Sequence, residues 1–109
     1  MNVIYRPQFW LDLEDGVAYL ARKASPEVAR RWHEEAMASV ARVKKQPDIG
    51  RPRRDLTIPG IRSLTFRRYP RYMLFYKWEG DVVEVLRVKH GMMFLPALFD
   101  PTQTPPADD

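Results

Sequence analysis

The sequence predicts an α+β fold in which a helical hairpin packs on one face of a small, mainly antiparallel, four-stranded sheet. Apolar residues recur at helical spacing in the first half of the chain, and short runs of β-branched and aromatic residues follow in the second half. The predicted order is strand, helix, helix, strand, strand, strand. The 109 residues suit one domain, which we place at residues 1–99. Residues 100–109 are proline-rich and polar, which predicts a disordered tail.

The first strand and the first helix are predicted at the N-terminus. Residues 1–5 are short and partly β-branched, as in a strand. Residues 7–24 then change to helical spacing. The predicted apolar stripe of this helix consists of Trp10, Leu13, Val17, Leu20 and Ala24. Gly16 lies inside the helix and weakens it by about 1 kcal/mol relative to alanine, so packing must offset that cost.

The second helix has a clear start and a clear end. Ser25 can cap it, Pro26 fits the first helical position, and Glu27 favours the positive end of the helix dipole. Its predicted apolar stripe consists of Ala29, Trp32, Ala36, Val40 and Val43. Pro47 ends the helix. The short link at residues 23–25 predicts that the two helices form an antiparallel hairpin.

A loop and three strands complete the predicted domain. Residues 46–60 contain three prolines and two glycines, as a loop does, and they carry Arg51, Arg53 and Arg54. Strands are predicted at 61–67, 71–78 and 82–90, with a turn at 79–81 joining the last two into a hairpin. The first strand is expected at an edge beside one of these three, and the full strand order is left open.

The positive charge is concentrated in the middle of the chain. The net charge is +4, but residues 42–71 hold ten Lys or Arg against two acids, a local charge of +8. The remaining residues therefore sum to −4. This distribution favours a polyanionic partner, either nucleic acid or an acidic protein segment. A solvated basic face with no partner is the simpler alternative.

Composition excludes several other classes of site. There are no cysteines, so disulfides and thiolate metal sites are excluded. There is no apolar stretch of about 18 residues and no signal-peptide pattern, so we expect a cytoplasmic protein without a membrane span. His33 and His90 lack ligand spacing, and no phosphate-binding glycine loop or Ser-His-Asp pattern occurs. We therefore expect no metal and no cofactor.

Charged residues interrupt the predicted strands in a consistent way. With strict alternation, Arg62 shares a face with apolar neighbours in its strand, and Arg87 and Lys89 share a face with Val83 and Val85. A charge on an apolar face is costly unless it lies at a rim or is paired. One interpretation is a basic concavity formed with the arginines of the 46–60 loop. The alternative is that Arg62 and Arg87 pair with acids such as Glu84 or Asp55, or reach solvent.

His90 and the aromatic residues of the strands each have two interpretations. A neutral histidine at the end of a strand can act as a general acid or base, although a lone histidine is more often structural. The aromatics interleaved with the basic residues can stack on nucleic-acid bases, but in strands they more often form core contacts or cross-strand pairs. These residues are Phe66, Tyr69, Tyr72, Phe75, Tyr76 and Trp78.

Four short motifs, taken in order, resemble the ParE/RelE superfamily of toxins from type II toxin–antitoxin systems. They are Pro47-Asp48-Ile49-Gly50-Arg51, Gly60-Ile61-Arg62-Ser63, Met73-Leu74-Phe75-Tyr76, and Val85-Leu86-Arg87-Val88 with His90-Gly91. The resemblance covers about residues 1–95. It implies an α+β toxin held inactive by a cognate antitoxin, which is usually encoded beside it.

The superfamily contains two activities. RelE-like members are ribosome-dependent nucleases that cut messenger RNA, and the matching residues here are Arg62, Arg87 and His90, with arginines stabilising charge and histidine moving a proton. ParE-like members poison DNA gyrase. We favour the ParE-like interpretation, because no titratable group follows His90 in Gly91-Met92-Met93-Phe94.

In either case a basic partner-binding surface is expected. Its residues are Arg51, Arg53, Arg54, Arg62, Arg87 and Lys89. The resemblance implies a cognate antitoxin as one partner and DNA gyrase, or the ribosome with messenger RNA, as the other. We expect the antitoxin segment to be amphipathic, with acids opposite Arg62 and Arg87. A non-toxic binding module on the same scaffold stays open, because fold does not dictate function.

Overall fold

The computed structural model describes residues 1–91, so the predicted tail at 100–109 and the end of the predicted 1–99 domain lie outside the described residues. Its elements are β1 (Asn2–Tyr5), α1 (Pro7–Lys23), α2 (Pro26–Lys45), a 3₁₀ turn (Pro47–Ile49), β2 (Arg51–Pro52), β3 (Ile61–Thr65), β4 (Tyr72–Glu79) and β5 (Val82–His90). The predicted α+β fold is confirmed.

The sheet has the order β1-β5-β4-β3-β2. Strands β2 to β5 pair antiparallel with their neighbours, whereas β1 runs parallel to β5 at one edge. The sheet has five strands and not the predicted four, because two residues of the arginine-rich loop pair with β3. A strand of only two residues, one of them a proline, gives too short a pattern to be recognised in sequence.

Helix α1 buries the predicted face in part: Leu13 is in the core, and Val17 and Leu20 pack against it. Phe9, Asp12 and Leu13 are its buried residues, whereas Trp10 is 43% exposed. The Trp10 ring packs on the Tyr5 ring at a centroid distance of 4.7 Å, outside the core. The predicted stripe wrongly included Trp10 and missed Asp12, because the exposure of one and the burial of the other reverse the usual preference of each residue type.

Helix α2 matches its prediction. Its predicted apolar stripe is buried throughout. The backbone N–H of Val28 donates to Ser25 Oγ at 3.1 Å, as the predicted cap requires. Together α1 and α2 cover one face of the sheet, where Trp32 lies against Phe66 and Tyr72 at centroid distances of 6.0 and 5.3 Å. A smaller apolar cluster of Leu56, Ile61, Phe75 and Leu86 lies apart from this core.

A bulge in β5 changes which face its charged residues share. Tyr76 pairs with Val85, but Phe75 pairs with Arg87, so Leu86 is an extra residue without a partner in β4. Directly paired residues of antiparallel strands share a face. Arg87 therefore shares a face with Phe75, not with Val85. The predicted common face of Arg87 and Lys89 with the valines is wrong, because a bulge breaks the two-residue alternation.

Candidate functional site

Tyr76 holds the loop that carries Arg51. Its hydroxyl donates to the backbone carbonyl of Pro47 at 2.6 Å and accepts from the backbone N–H of Gly50 at 2.9 Å. A Cβ built on Gly50 would lie 2.5 Å from that hydroxyl, so only glycine leaves room for the ring. Burial raises the pKa of Tyr76, which keeps the hydroxyl protonated and able to donate. The glycine and tyrosine of the recognised motifs thus fit each other.

Arg62 fastens the same loop from β3. Its Nη1 donates to the backbone carbonyls of Gly50 at 2.8 Å and Asp48 at 3.3 Å. Its guanidinium also lies 5.8 Å from the centre of the Trp78 ring, close enough for a cation–π contact. Arg62 makes no ion pair with a carboxylate of the described residues, so its charge is not neutralised locally.

Replacing Tyr76 with phenylalanine tests the loop attachment. We expect a loss of about 1–3 kcal/mol in the free energy of unfolding, because a buried N–H and a carbonyl lose their partner without a change in side-chain shape. Urea unfolding measures this loss. Tyr69→Phe is the matched control, since Tyr69 is a partly buried tyrosine whose hydroxyl bonds no other described residue. An equal effect of both substitutions would contradict the proposed attachment.

Arg53, from the same loop, is buried and paired. Its Nε and Nη2 donate to the two carboxylate oxygens of Asp55 at 2.9 and 2.7 Å. Its Nη1 donates to Ser63 Oγ at 3.3 Å, and its guanidinium lies 5.7 Å from the centre of the Phe75 ring. The hydrogen bonds from Arg53 lower the pKa of Asp55 to about 2. Arg53 thus fixes the loop to the sheet.

This ion pair predicts a stability change in acid. The depressed pKa of Asp55 means that its contribution to stability is present above its ordinary value of 3.8 and is lost as the pH falls through about 2. Other carboxylates titrate in the same range, so wild type is compared with Asp55→Asn in urea unfolding at several pH values. The difference between the two proteins is expected to shrink as the pH falls from 5 towards 2. A constant difference would contradict the role of the Asp55 charge.

Arg87 and Lys89 meet a buried acid that sequence analysis did not identify. Arg87 Nε and Nη2 donate to the carboxylate of Asp12 in α1 at 2.7 and 3.0 Å, and Lys89 Nζ lies 3.2 Å from Asp12 Oδ1. The Asp12 side chain is only 3% exposed, and those of Arg87 and Lys89 are 8% and 10% exposed. We call these three residues the Asp12 cluster. Two cations and one carboxylate give it a charge of +1.

The position of Asp12 follows from the end of β1. Strand β1 pairs with β5 only as far as Val85, and beyond it the edge of β5 has no neighbouring strand among the described residues. Asp12 Oδ2 accepts the backbone N–H of Val88 at 3.2 Å. The carboxylate therefore replaces the missing strand and satisfies a buried donor while it binds both cations. This explains why a charged residue is stable on the core-facing side of a helix.

His90 lies at the far end of β5. It is half-buried, and its ring packs edge-on against Tyr72 at a centroid distance of 5.1 Å. In the register of β4, Arg62 pairs with Tyr76, Arg87 with Phe75 and His90 with Tyr72. Four residues of strand separate the Arg62 position from that of His90, or about 13 Å. The structure therefore does not gather Arg62, Arg87 and His90 into one cleft.

The six residues of the predicted basic surface occupy different environments. Arg51 and Arg54 are exposed and Arg62 is half-buried, whereas Arg53, Arg87 and Lys89 are buried in ion pairs. The solvent-facing part of this predicted surface therefore lies on the loop and on the adjoining end of β3. No group of three or more potential metal ligands occurs among residues 1–91. In the same region, no helix is long and apolar enough to cross a membrane.

Comparison with known proteins agrees with this architecture. The family model described as the ParE toxin of the type II toxin–antitoxin system parDE matches residues 3–93. The chromosomal ParDE toxin–antitoxin system from P. aeruginosa contains a chain that superposes with a TM-score of 0.70 at 20% identity, covering 83% of this chain and 95% of that one.

A second solved structure is similar in fold. It is a YoeB/ParE toxin from Agrobacterium tumefaciens, with a TM-score of 0.58 at 19% identity, and the match covers 83% of this chain and 98% of that one. No curated protein matches the sequence. At these identities the structural matches support the fold alone. The family model covers most of the chain, from β1 through β5, and the chain therefore belongs to the ParE toxin family of type II toxin–antitoxin systems.

Proposed function

We propose that this ParE-family chain arrests bacterial growth in the cytoplasm by poisoning DNA gyrase, and that a cognate antitoxin neutralises it. The observation that carries the choice of target is the separation of Arg62, Arg87 and His90. A metal-independent nuclease needs its charge-stabilising and proton-transferring groups around one phosphate. Here Arg62 bonds loop carbonyls, Arg87 bonds buried Asp12, and His90 packs against Tyr72.

The antitoxin is supported by the family and by the distribution of charge. The matching family model describes a toxin of the parDE pair, and the P. aeruginosa structure is titled as a ParDE system. Of the six residues of the predicted basic surface, Arg51 and Arg54 are exposed, with half-buried Arg62 beside them. We therefore expect the acids of the antitoxin to face these three arginines. Buried Arg87 is already bound to Asp12, so it is a less accessible target than the sequence suggested.

Two assays with purified toxin separate the proposed function from its alternative. One measures DNA supercoiling by gyrase, and the other measures messenger-RNA cleavage on translating ribosomes. We expect inhibition of supercoiling with intact messenger RNA. Ribosome-dependent cleavage that is lost in His90→Gln but kept in the surface variant Arg68→Ala would instead establish the RelE-like nuclease. Arg87→Ala is less informative, because it also breaks the Asp12 cluster.

The antitoxin and the toxicity itself need separate tests. Co-expression with the product of the neighbouring gene should give a stable complex and restore growth. Substitution of Arg51 and Arg54 together by glutamate should weaken that complex, because it reverses the charge facing the antitoxin's acids. Soluble expression of the chain alone without growth arrest would favour a non-toxic binding module.

A further inference from the structure

A half-open pocket of about 410 Å³ lies between the arginine-rich loop and β3. Its walls include Arg53, Arg54 and Arg62, and its apolar lining includes Leu56 and Ile61. The volume falls in the range of pockets that hold small organic molecules. No acid lines the pocket. Asp55 forms an ion pair with Arg53, but Asp55 is not itself a lining residue. The pocket therefore combines an apolar surface with a surplus of positive charge.

The cations around this pocket differ in how firmly they are held. Arg53 is fixed by Asp55 and Ser63, and Arg62 is fixed by the carbonyls of the 3₁₀ turn and Gly50. Arg54 is exposed and makes no ion pair with another described residue. A fourth cation is close, since Lys77 Cε lies 3.6 Å from the Cβ position of Gly60, which lines the pocket. Two fixed cations and the adjustable Arg54 thus line the pocket, and Lys77 lies beside its rim at Gly60.

Backbone conformation also shapes this opening. Gly60 has φ +85°, in the left-handed region that favours glycine, and it turns the chain from the loop into β3. A side chain at this position would be strained and would approach the Lys77 stem. The glycine therefore fixes the course of the pocket's rim, and the Lys77 stem lies within van der Waals contact of it.

We propose that this pocket binds a phosphate group carried on a small organic molecule. Guanidinium groups match phosphate oxygens in geometry and charge, and a dianion gains more from several cations than a carboxylate does. The phosphate lies between Arg54 and Lys77, and the organic part covers the apolar lining at Leu56 and Ile61. The proposal does not depend on whether the toxin acts on gyrase.

Phenyl phosphate is the probe, because it joins a phosphate monoester to an apolar ring. It is titrated into the full chain by calorimetry and by amide chemical shifts, with the shifts expected at Arg54, Thr57 and Gly60. Arg54→Ala and Lys77→Ala each remove one adjustable cation. Arg68→Ala is the matched control, since Arg68 is an exposed arginine on the turn between β3 and β4.

The expected result is saturable binding that Arg54→Ala weakens about tenfold, with a smaller loss in Lys77→Ala and no change in Arg68→Ala. Inorganic phosphate should bind more weakly than phenyl phosphate, because it leaves the apolar lining uncovered. Equal losses in Arg54→Ala and Arg68→Ala would overturn the proposal, since they indicate non-specific attraction to a basic chain. Binding of a thymidine oligonucleotide without binding of phenyl phosphate would overturn it too and would point to a nucleic-acid phosphodiester. These assays contain neither gyrase nor antitoxin, so their failure leaves the proposed function untouched.

Discussion

Asp12→Ala is expected to lower the free energy of unfolding by about 3–5 kcal/mol. The substitution leaves two buried cations, Arg87 and Lys89, without their carboxylate, and it removes the acceptor of the Val88 N–H. Breaking a buried pair from one side is costly because the remaining charge has neither water nor a partner. Chemical denaturation at neutral pH measures the loss.

Asp15→Ala is the matched control for this experiment. Asp15 lies in the same helix but is exposed, so its replacement changes helix propensity without disturbing the cluster. Asp12→Asn keeps the shape and one acceptor oxygen but removes the charge, and it should lie between wild type and Asp12→Ala. A loss below about 1 kcal/mol in Asp12→Ala, near the value for an exposed ion pair, would show that water reaches the cluster.

Asp12 also shows where sequence analysis of the site reaches its limit. Its partners lie 75 and 77 positions away in the chain, and no periodicity relates a helix carboxylate to a strand edge. A signal was present in the sequence, since Asp12 lies between Leu11 and Leu13. The two cations at the end of β5 were recognised as needing partners. Only the packing of α1 against β5 shows that one carboxylate supplies both.

The predictions that succeeded depend on local chemistry. Ser25 and Pro26 start α2 because their effects act within one turn, and the strand Val82–His90 is recognisable because four of its nine residues are β-branched valines. Those that failed depend on neighbours in space. The bulge at Leu86 depends on how β5 pairs with β4. The position of Trp10 outside the core depends on its contact with the Tyr5 ring.

The Tyr76 attachment lies between these cases. Gly50 and Tyr76 were both recognised as motif residues, so their positions were known to matter before the structure. The physical reason was not visible, because a glycine can serve a turn, a bulge or a close approach. The structure shows a close approach: the Tyr76 ring occupies the space that a Gly50 side chain would need. Part of the family motif therefore holds the basic loop in place.

Gly16→Ala is expected to destabilise the protein, although helix propensity alone predicts a gain of about 1 kcal/mol. A Cβ at this position would overlap the six-membered ring of Trp32, which is buried on the facing helix α2. Overpacking of a filled core costs about 1–3 kcal/mol, and here neither helix backbone can retreat without opening the hairpin. We expect a net loss of about 2 kcal/mol in the free energy of unfolding, measured by urea denaturation.

A double-mutant cycle identifies the cause of this loss. Trp32→Phe removes the part of the indole that the new methyl group would strike, so Gly16→Ala should cost less in that background than in wild type. Trp32→Phe also removes the indole N–H, a buried donor with no hydrogen-bond partner among residues 1–91, which limits its own cost to lost packing. A stabilising effect of Gly16→Ala in the wild-type background would show that the helices can move apart. In that case the glycine would be a helix weakness and not the contact that allows α1 and α2 to pack closely.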